Sequence, residues 1–284
     1  MNEISDIRKE NPSWNWSVYD FDKFVPCDLL KIMQDYHVTT FCAPPTMFRF
    51  FIKAGIENYD LSSLKHTTIA GEALNPEVFY KFKEYTGLSL MEGFGQTETT
   101  LTIANFVGDT PKPGSMGHPS PMYDVDIITP EGKSCEVGET GEIVIRTTEE
   151  APCGLFKGYY KNEEATKDLF TEDGWLRTGD MGIIDKDGYL YIRGRYKCMF
   201  LGPNGQNIYP EELESVINSF AYVVDSLVIE DNGGLTALVY PDYHLGELDG
   251  MNRDDLEKTL TSQLPEINRE IPNYAQIKKI EFMP

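Results

Sequence analysis

The stretch LSLMEGFGQTETT, residues 88–100, contains the features that decide the fold. Its first half, LSLMEG, is apolar and β-prone, which predicts a buried strand. Gly93 and Gly95 follow, and we expect them to form a turn where the backbone can approach a ligand closely. Thr97 and Glu98 then offer a hydroxyl and a carboxylate, the oxygen ligands that suit Mg²⁺ beside phosphate. Taken alone, the pattern is more typical of a plain glycine turn than of a ligand site, because short glycine motifs recur by chance.

Strands and helices alternate on the N-terminal side of this stretch. Short apolar strands are predicted at residues 38–42 and 66–71, and helices at residues 46–56 and 76–85. Another helical face before them carries Leu29, Leu30, Met33 and Tyr36. This alternation predicts parallel β-α-β units, in which ligands bind beyond the carboxyl ends of the strands. The fold class is therefore α/β.

The C-terminal side differs in residue composition and in the elements it predicts. Residues 113–196 contain many glycines and short β-prone runs, and Asp185–Gly188 is predicted as a hairpin turn, so an antiparallel sheet is expected there. Residues 197–284 read as a small α+β module with a hairpin turn at residues 231–234 and a final helix carrying Leu256, Leu260 and Leu264.

Composition narrows the function classes. The 284 residues contain 25 Lys+Arg against 46 Asp+Glu, a net charge of −21, which disfavours nucleic acid and anionic membrane surfaces as partners. No apolar run reaches the roughly 18 residues of a membrane span, and no signal-peptide pattern opens the chain, which predicts a cytoplasmic protein. The five cysteines contain no C-x-x-C pair, so neither a disulfide framework nor a zinc site is expected.

Two further segments carry candidate ligand-binding groups. In GWLRTGD, residues 174–180, Asp180 follows a glycine and is suited to accept hydrogen bonds from a ribose diol, although a solvated turn is the commoner fate of a Gly-Asp pair. In residues 192–214, Arg195 ends a strand before a glycine-containing loop, which is typical of an interdomain linker or hinge.

The order of these motifs is more specific than any one of them. GFGQTE is followed by GETGEIVIR with GYYKN, then GWLRTGD, then a GR-containing hinge with NIYPEELE. This series resembles the core motifs of adenylate-forming (AMP-binding) acyl-CoA synthetases, over about residues 14–284. Residues 20–117 resemble the medium-chain acyl-CoA synthetases, whereas residues from 154 onward resemble long-chain fatty acid CoA ligases.

The resemblance implies a fold and a reaction. The fold would be the rear part of a large α/β adenylation domain (1–112), a β-subdomain (113–196) and an incomplete small α+β C-terminal domain after a hinge (197–284). ATP and a medium-chain-like carboxylic acid would give an acyl-adenylate, and CoA would then displace AMP to form a thioester. The implied cofactors are ATP/AMP, Mg²⁺ and CoA, with Mg²⁺ neutralising phosphate charge in an otherwise acidic protein.

The resemblance also implies roles for individual residues. Thr97 and Glu98 match catalytic positions, and Glu98 matches the position that serves Mg²⁺. Asp180 matches the residue that holds the ribose hydroxyls, Arg195 matches a second ribose or phosphate contact, and Lys197 matches the hinge. The implied nucleotide contacts are Gly71, Glu72, Ala73, Glu92, Gly93, Phe94, Gly95, Gln96, Thr97, Asp180 and Arg195. The implied CoA-binding loop contains Asn204, Gly205 and Gln206.

Two elements of the family pattern are not found in the sequence. Nothing before Gly93 reads as a Ser/Thr/Gly-rich phosphate loop, and Lys278 and Lys279 come too early to match the family's adenylation lysine. We therefore expect the chain to correspond to the later half of a full-length member and to adenylate weakly or not at all by itself.

Two other functions stay open at this point. One is a non-catalytic nucleotide- or acyl-binding fragment or subunit that needs a partner chain carrying the missing N-terminal half. The other is an adenylation domain that loads a carrier protein, which the CoA-ligase character of GFGQTET makes the weaker alternative.

Overall fold

The computed structural model of the chain describes residues 24–71, 74–147, 152–202 and 205–283. The chain divides into two compact units. The first comprises Met1–Ile69 and Val78–Leu90, and the second comprises Ala70–Glu77 and Met91–Pro284.

The first unit is built on a parallel strand pair. Its elements are α1 (Pro26–Asp35), β1 (Thr40–Ala43), α2 (Pro45–Lys53), β2 (His66–Ile69) and most of α3 (Pro76–Thr86). β1 and β2 run parallel with Thr40 opposite His66, as expected for a β-α-β unit. All three helices begin at a proline, a residue whose fixed φ suits the first helical turn. The core is aromatic, and the rings of Phe48 and Phe82 pack edge to face at 5.1 Å.

The predicted elements of this unit are confirmed, with shifted ends. The helix expected over residues 46–56 ends at Lys53, because Gly55 takes φ 78°, a left-handed conformation that stops a helix. Tyr36, expected on the buried face of α1, is 60% exposed, because the helix ends one residue earlier and its side chain no longer follows the helical period.

The second unit opens with antiparallel strands. They are β3 (Leu90–Gln96), β4 (Thr100–Ala104), β5 (His118–Pro119), β6 (Val125–Ile128), β7 (Gly141–Arg146), β8 (Trp175–Ile184) and β9 (Leu190–Arg195), with the short helix α4 (Glu163–Lys167) before β8. β6 to β9 form a four-stranded antiparallel sheet in sequence order. Asp185–Gly188 forms the turn between β8 and β9, which confirms the predicted hairpin.

The C-terminal part of this unit is α+β. Its elements are β10 (Phe200–Leu201), β11 (Asn207–Ile208), α5 (Pro210–Ile217), β12 (Val223–Asp231), β13 (Gly234–Pro241), α6 (Tyr243–Leu248), α7 (Arg253–Ser262), α8 (Leu264–Glu270) and β14 (Ile277–Phe282). The predicted β12–β13 hairpin is confirmed. The single final helix expected to carry Leu256, Leu260 and Leu264 is instead two helices, because Pro265 cannot continue α7 and lies in the first turn of α8, which begins at Leu264.

Helix α5 is attached directly to strand β9. Arg193 Nη1 lies 2.8 Å from Glu212 Oε1, and the backbone N–H of Arg195 donates to Glu211 Oε1 at 3.2 Å. The mixed α/β architecture confirms the predicted fold class, and the α5–β9 contact places the Arg195 strand end beside the C-terminal elements.

Candidate nucleotide-binding site

The QTET stretch lies at the tip of a tight β3–β4 hairpin. Gly93 and Gly95 are not in a turn, as the sequence suggested, but within β3, and the turn is formed by the residues after Gln96. The physical reason is close strand approach: a Cβ on Gly95 would lie 1.9 Å from the carbonyl oxygen of Thr100. The hairpin leaves Thr97 exposed and Glu98 half-buried at its tip.

Gln96 connects this hairpin to strand β8. Its side-chain Nε2 donates to the carbonyl oxygen of Thr178 at 2.9 Å and to Asp180 Oδ2. The two sequence-predicted segments, residues 88–100 and 174–180, therefore adjoin although 84 residues separate Gln96 from Asp180.

Asp180 is a buried carboxylate that is paired with a surface guanidinium. Its side chain is 10% exposed, and Arg195 Nε lies 3.2 Å from its Oδ1. Burial raises the pKa of Asp180 to about 6, against the opposing effects of the Arg195 charge and the Gln96 hydrogen bond. Asp180 is therefore ionised at neutral pH and provides acceptor oxygens.

A bulge in β8 presents Asp180. Glu142 lies opposite Met181 and Val144 lies opposite Arg177, so three residues of β8 face the single Ile143 of β7. Within the bulge Gly179 adopts φ 73°, a conformation that glycine takes without strain. Bulges of this kind redirect side chains beside functional sites.

Glu142 holds the bulge from the neighbouring strand. Its side chain is 8% exposed, its Oε1 accepts the Gly179 N–H at 3.1 Å, and its Oε2 accepts from Arg177 Nε at 2.8 Å. The hydroxyl of Thr178 donates to the carbonyl of Ile143 at 2.8 Å. The sequence reasoning missed Glu142, since in GEIVIR it reads as one polar residue of a strand and nothing local reveals its partners.

Glu92 is held by the protein itself. It is 2% exposed, its Oε1 accepts the Gly114 N–H at 2.9 Å, and its Oε2 has no hydrogen-bond partner among the described residues. Its backbone carbonyl accepts from Asn105 Nδ2 at 3.0 Å. Burial raises the pKa of Glu92 to about 8, so the carboxyl is mostly neutral at pH 7. Its contact with a nucleotide stays a prediction.

The other sequence-predicted residues that the structure describes on the loops are exposed. Gly71 is exposed with φ 95°, and Lys197 is exposed in a short 3₁₀ turn after β9. Gly205 and Gln206 are exposed in the β10–β11 connection, where the Gly202 N–H donates to the Gln206 carbonyl at 2.8 Å. Glu72, Ala73 and Asn204 lie outside the described residues.

Cation ligands are few at this site. No group of three or more His, Cys, Asp or Glu side chains that could hold a metal occurs in the described part of the chain. The role of Glu98 as a cation ligand stays a prediction.

Among the described residues, no helix has both the length and the apolar character that crossing a membrane requires. The cytoplasmic location stays a prediction.

The sequence matches curated acyl-CoA synthetases. It is 34% identical over 262 residues to the human protein named acyl-coenzyme A synthetase ACSM3, mitochondrial, covering 92% of this chain and 44% of that protein. It is 33% identical over 267 residues to acyl-coenzyme A synthetase ACSM4, mitochondrial, of Rattus norvegicus, covering 94% of this chain and 45% of that protein. The chain thus spans a little under half the length of the curated relatives it matches.

Solved structures of adenylate-forming enzymes share the fold. The anthranilate CoA ligase AuaEII in complex with anthranoyl-AMP superposes with a TM-score of 0.75 at 28% identity, over 91% of this chain and 48% of that one. The O-succinylbenzoate coenzyme A synthetase MenE from Bacillus subtilis, in complex with ATP and magnesium ion, superposes with a TM-score of 0.73 at 25% identity, over 93% of this chain and 51% of that one.

A protein-family comparison covers the segment that carries the glycine hairpin. The model of the AMP-binding enzyme family matches residues 17–160, just over half of the 284 residues. Together with the acyl-CoA synthetase relatives, this match confirms the resemblance inferred from the motif order: the chain belongs to the family of AMP-binding enzymes.

Proposed function

We propose that this chain contributes the ribose-binding, hinge and thiol-acceptor elements of an AMP-forming acid–thiol ligase. The reaction would activate a medium-chain-like carboxylic acid with ATP as an acyl-adenylate and transfer the acyl group to CoA. The observation that carries the proposal is the junction of the β3–β4 hairpin with the β8 bulge, where Gln96 and Arg195 both contact the buried Asp180 carboxylate.

The chemistry of this junction suits a nucleoside. An ionised, buried carboxylate accepts hydrogen bonds from two vicinal hydroxyls, and burial strengthens such bonds. Arg195 is 54% exposed, so it can turn toward a phosphate or ribose oxygen when the diol takes its place at Asp180. Thr97, exposed at the hairpin tip, can donate its hydroxyl to the α-phosphate.

Mg²⁺ fits the donors at the hairpin tip. Glu98 supplies one half-buried carboxylate, and Mg²⁺ is commonly held by one or two carboxylates plus substrate phosphates and water rather than by a cage of protein ligands. When bound, the cation would reduce the phosphate charge that opposes attack by a carboxylate.

The roles proposed for the hinge and the CoA loop are supported by the resemblance to the family. Lys197 is proposed as the hinge and residues 204–206 as the CoA loop. The three-part organisation, 1–112, 113–196 and 197–284, is likewise a proposal. The relatives' names support CoA as the acceptor, since both curated proteins are acyl-coenzyme A synthetases and AuaEII is a CoA ligase.

For the 284 residues alone we propose weak adenylation. They include no phosphate loop before Gly93, so nucleotide binding tests the proposed site more directly than the rate of adenylation does. ATP–pyrophosphate exchange should be barely above background, and a robust exchange rate would overturn this part of the proposal.

Isothermal titration with AMP and with a non-hydrolysable octanoyl-sulfamoyl adenosine tests the site at pH 8. Both ligands should bind the wild-type chain, and Asp180→Asn should weaken both about tenfold or more, since it removes a charged acceptor. Asp173→Asn, the same change at an exposed turn before β8, is the matched control. Equal affinities for wild type and Asp180→Asn would refute the proposed site.

A further inference from the structure

A segment that the motif roles leave unexplained packs against the hairpin tip. The backbone N–H of Phe156 donates to the carbonyl oxygen of Glu98 at 2.8 Å, and the hydroxyl of Tyr159 donates to Glu98 Oε1 at 2.8 Å. At the other end of the segment, a Cβ on Gly154 would lie 2.1 Å from the hydroxyl of Tyr123. Residues 154–159 therefore lie close against the turn that presents Glu98.

Tyr159 is itself held in place. Its ring packs edge to face with that of Phe156, at 5.1 Å between centroids, and its backbone N–H donates to Thr166 Oγ1 at 2.9 Å. Gly158, just before it, has φ 126°, and a Cβ there would lie 2.9 Å from Thr166 Cγ2. Backbone, ring and preceding residue thus fix the direction of the Tyr159 hydroxyl before any ligand binds.

We propose that Tyr159 is the positioning residue for Glu98: its hydroxyl holds one carboxylate oxygen, Oε1, so that the other, Oε2, is presented to the divalent cation that accompanies the nucleotide phosphates. The inference rests on the proposed function, because it requires a cation–nucleotide complex at the hairpin tip. Among the described residues, the hydrogen bond that reaches the Glu98 carboxylate goes to Oε1, and no hydrogen bond or ion pair to Oε2 is present, which leaves that oxygen for the cation.

The energetic reason is the orientation of a single ligand. When one carboxylate is the only protein ligand of a cation, free rotation of that carboxylate lowers the affinity for the cation, because no second protein ligand fixes the geometry. Hydrogen-bond partners of metal ligands commonly change metal affinity by about 10- to 100-fold when they are removed. Tyr159 is 39% exposed, so we expect the lower end of that range.

The chain offers a matched control in the next residue. Tyr160 is 87% exposed, has the same side chain, and its ring faces Lys161 rather than Glu98. Tyr159→Phe and Tyr160→Phe therefore remove the same hydroxyl from adjacent positions, and only the first removes a hydrogen bond to Glu98.

Two binding measurements on the full 284-residue chain test the inference. Mn²⁺ binding in the presence of ATP is followed by electron paramagnetic resonance, and ATP binding in EDTA is followed by calorimetry. Tyr159→Phe should weaken Mn²⁺ binding about tenfold while ATP affinity in EDTA stays within about twofold of wild type. Tyr160→Phe should match wild type in both.

A double-mutant cycle separates positioning from general support of the fold. In a Glu98→Gln background the cation ligand is already impaired, so adding Tyr159→Phe should cost little further Mn²⁺ affinity. An equal loss from Tyr159→Phe in both backgrounds, or no loss in the wild-type background, would overturn the inference and leave the proposed function standing. Failure of the wild-type chain to bind ATP in EDTA would instead overturn the proposed function, and this inference with it.

Discussion

Asp180 and Arg195 are Cα partners across strands β8 and β9, and Arg195 Nε lies 3.2 Å from Asp180 Oδ1. The two side chains differ sharply in exposure, at 10% for Asp180 and 54% for Arg195. A surface guanidinium therefore covers a buried carboxylate, and burial outweighs it, so the pKa of Asp180 is raised to about 6. The acceptor that we assign to the ribose thus titrates within an accessible pH range.

Adenosine affinity should fall about tenfold between pH 7.5 and pH 5 in the wild-type chain. Only the ionised Asp180 offers a charged acceptor to the ribose diol, and a pKa of about 6 leaves about a tenth of it ionised at pH 5. Adenosine is the probe because the second pKa of a phosphate group, also near 6, would titrate in the same range. Calorimetry at several pH values measures the effect.

The Asp180→Asn variant separates this titration from that of other groups. It should bind adenosine weakly at every pH, with no slope attributable to position 180, whereas Asp173→Asn should follow the wild-type curve. A wild-type affinity that is flat from pH 7.5 to pH 5 would contradict the role of Asp180.

Glu92→Gln should remove a pH dependence of stability. Because burial raises the pKa of Glu92 from 4.5 in the unfolded chain to about 8 in the folded one, the folded state holds the proton more tightly. The free energy of unfolding therefore falls as the pH rises from about 4.5 to about 8, with a slope of up to about 1.4 kcal/mol per pH unit. Glutamine keeps the acceptor for the Gly114 N–H and carries no charge.

Urea unfolding at pH 5.5, 7 and 8.5 measures this difference. Wild type should lose stability relative to Glu92→Gln as the pH rises, and Glu131→Gln, at an exposed turn, should track wild type. Parallel wild-type and Glu92→Gln curves would show that the Glu92 carboxyl is not buried in the way described.

The sequence predicted those features that depend on residues close together in the chain. The start of α3 at Pro76 was predicted from the sequence, and the Asp185–Gly188 turn was readable from turn-forming residues alone. The same local reasoning misread Gly93 and Gly95, because a glycine that permits a turn and a glycine that permits a close strand have the same sequence signal. Only the Thr100 carbonyl opposite Gly95 distinguishes them.

Partners distant in sequence were beyond local reasoning. The motif order named Asp180 as a candidate, but that Gln96 bonds to it across 84 residues depends on the packing of a hairpin against a bulge. Glu142 likewise has a structural role because strand β8, opposite it, contains a bulge with two extra residues. No pattern in GEIVIR indicates that bulge. Such contacts follow from tertiary packing rather than from residue type.

Removing the Glu142 side chain should destabilise the chain and weaken nucleotide binding. Glu142→Ala leaves the half-buried Gly179 N–H and the Arg177 guanidinium without their partner, which should cost about 1–3 kcal/mol and reduce adenosine affinity severalfold by loosening the bulge. Glu142→Gln keeps an acceptor for Gly179 and should lose less of both. Urea unfolding and calorimetry measure the two effects.

The control for that series is Glu136→Ala, at an exposed position before β7, which should leave stability and adenosine affinity unchanged. If Glu142→Ala lowered stability while adenosine affinity stayed at the wild-type value, the bulge would be a structural feature with no part in positioning Asp180.

Gly194→Ala should destabilise the contact between β9 and α5 by about 1–3 kcal/mol. Gly194 is buried with φ 152°, and a Cβ there would lie 2.5 Å from Glu211 Oε2. Because the two closest atoms belong to the Glu211 side chain, adding Glu211→Ala should recover part of the loss, so the double variant should be more stable than the sum of the single changes predicts. Gly202→Ala is the comparison: its Cβ would lie 3.2 Å from the movable end of the Ile208 side chain and 3.3 Å from the carbonyl oxygen of Gln206, both longer than the closest contact at position 194, so it should cost less than Gly194→Ala. Strictly additive free energies of unfolding would mean that the strain at position 194 comes from the backbone alone, and that Glu211 does not pack against strand β9.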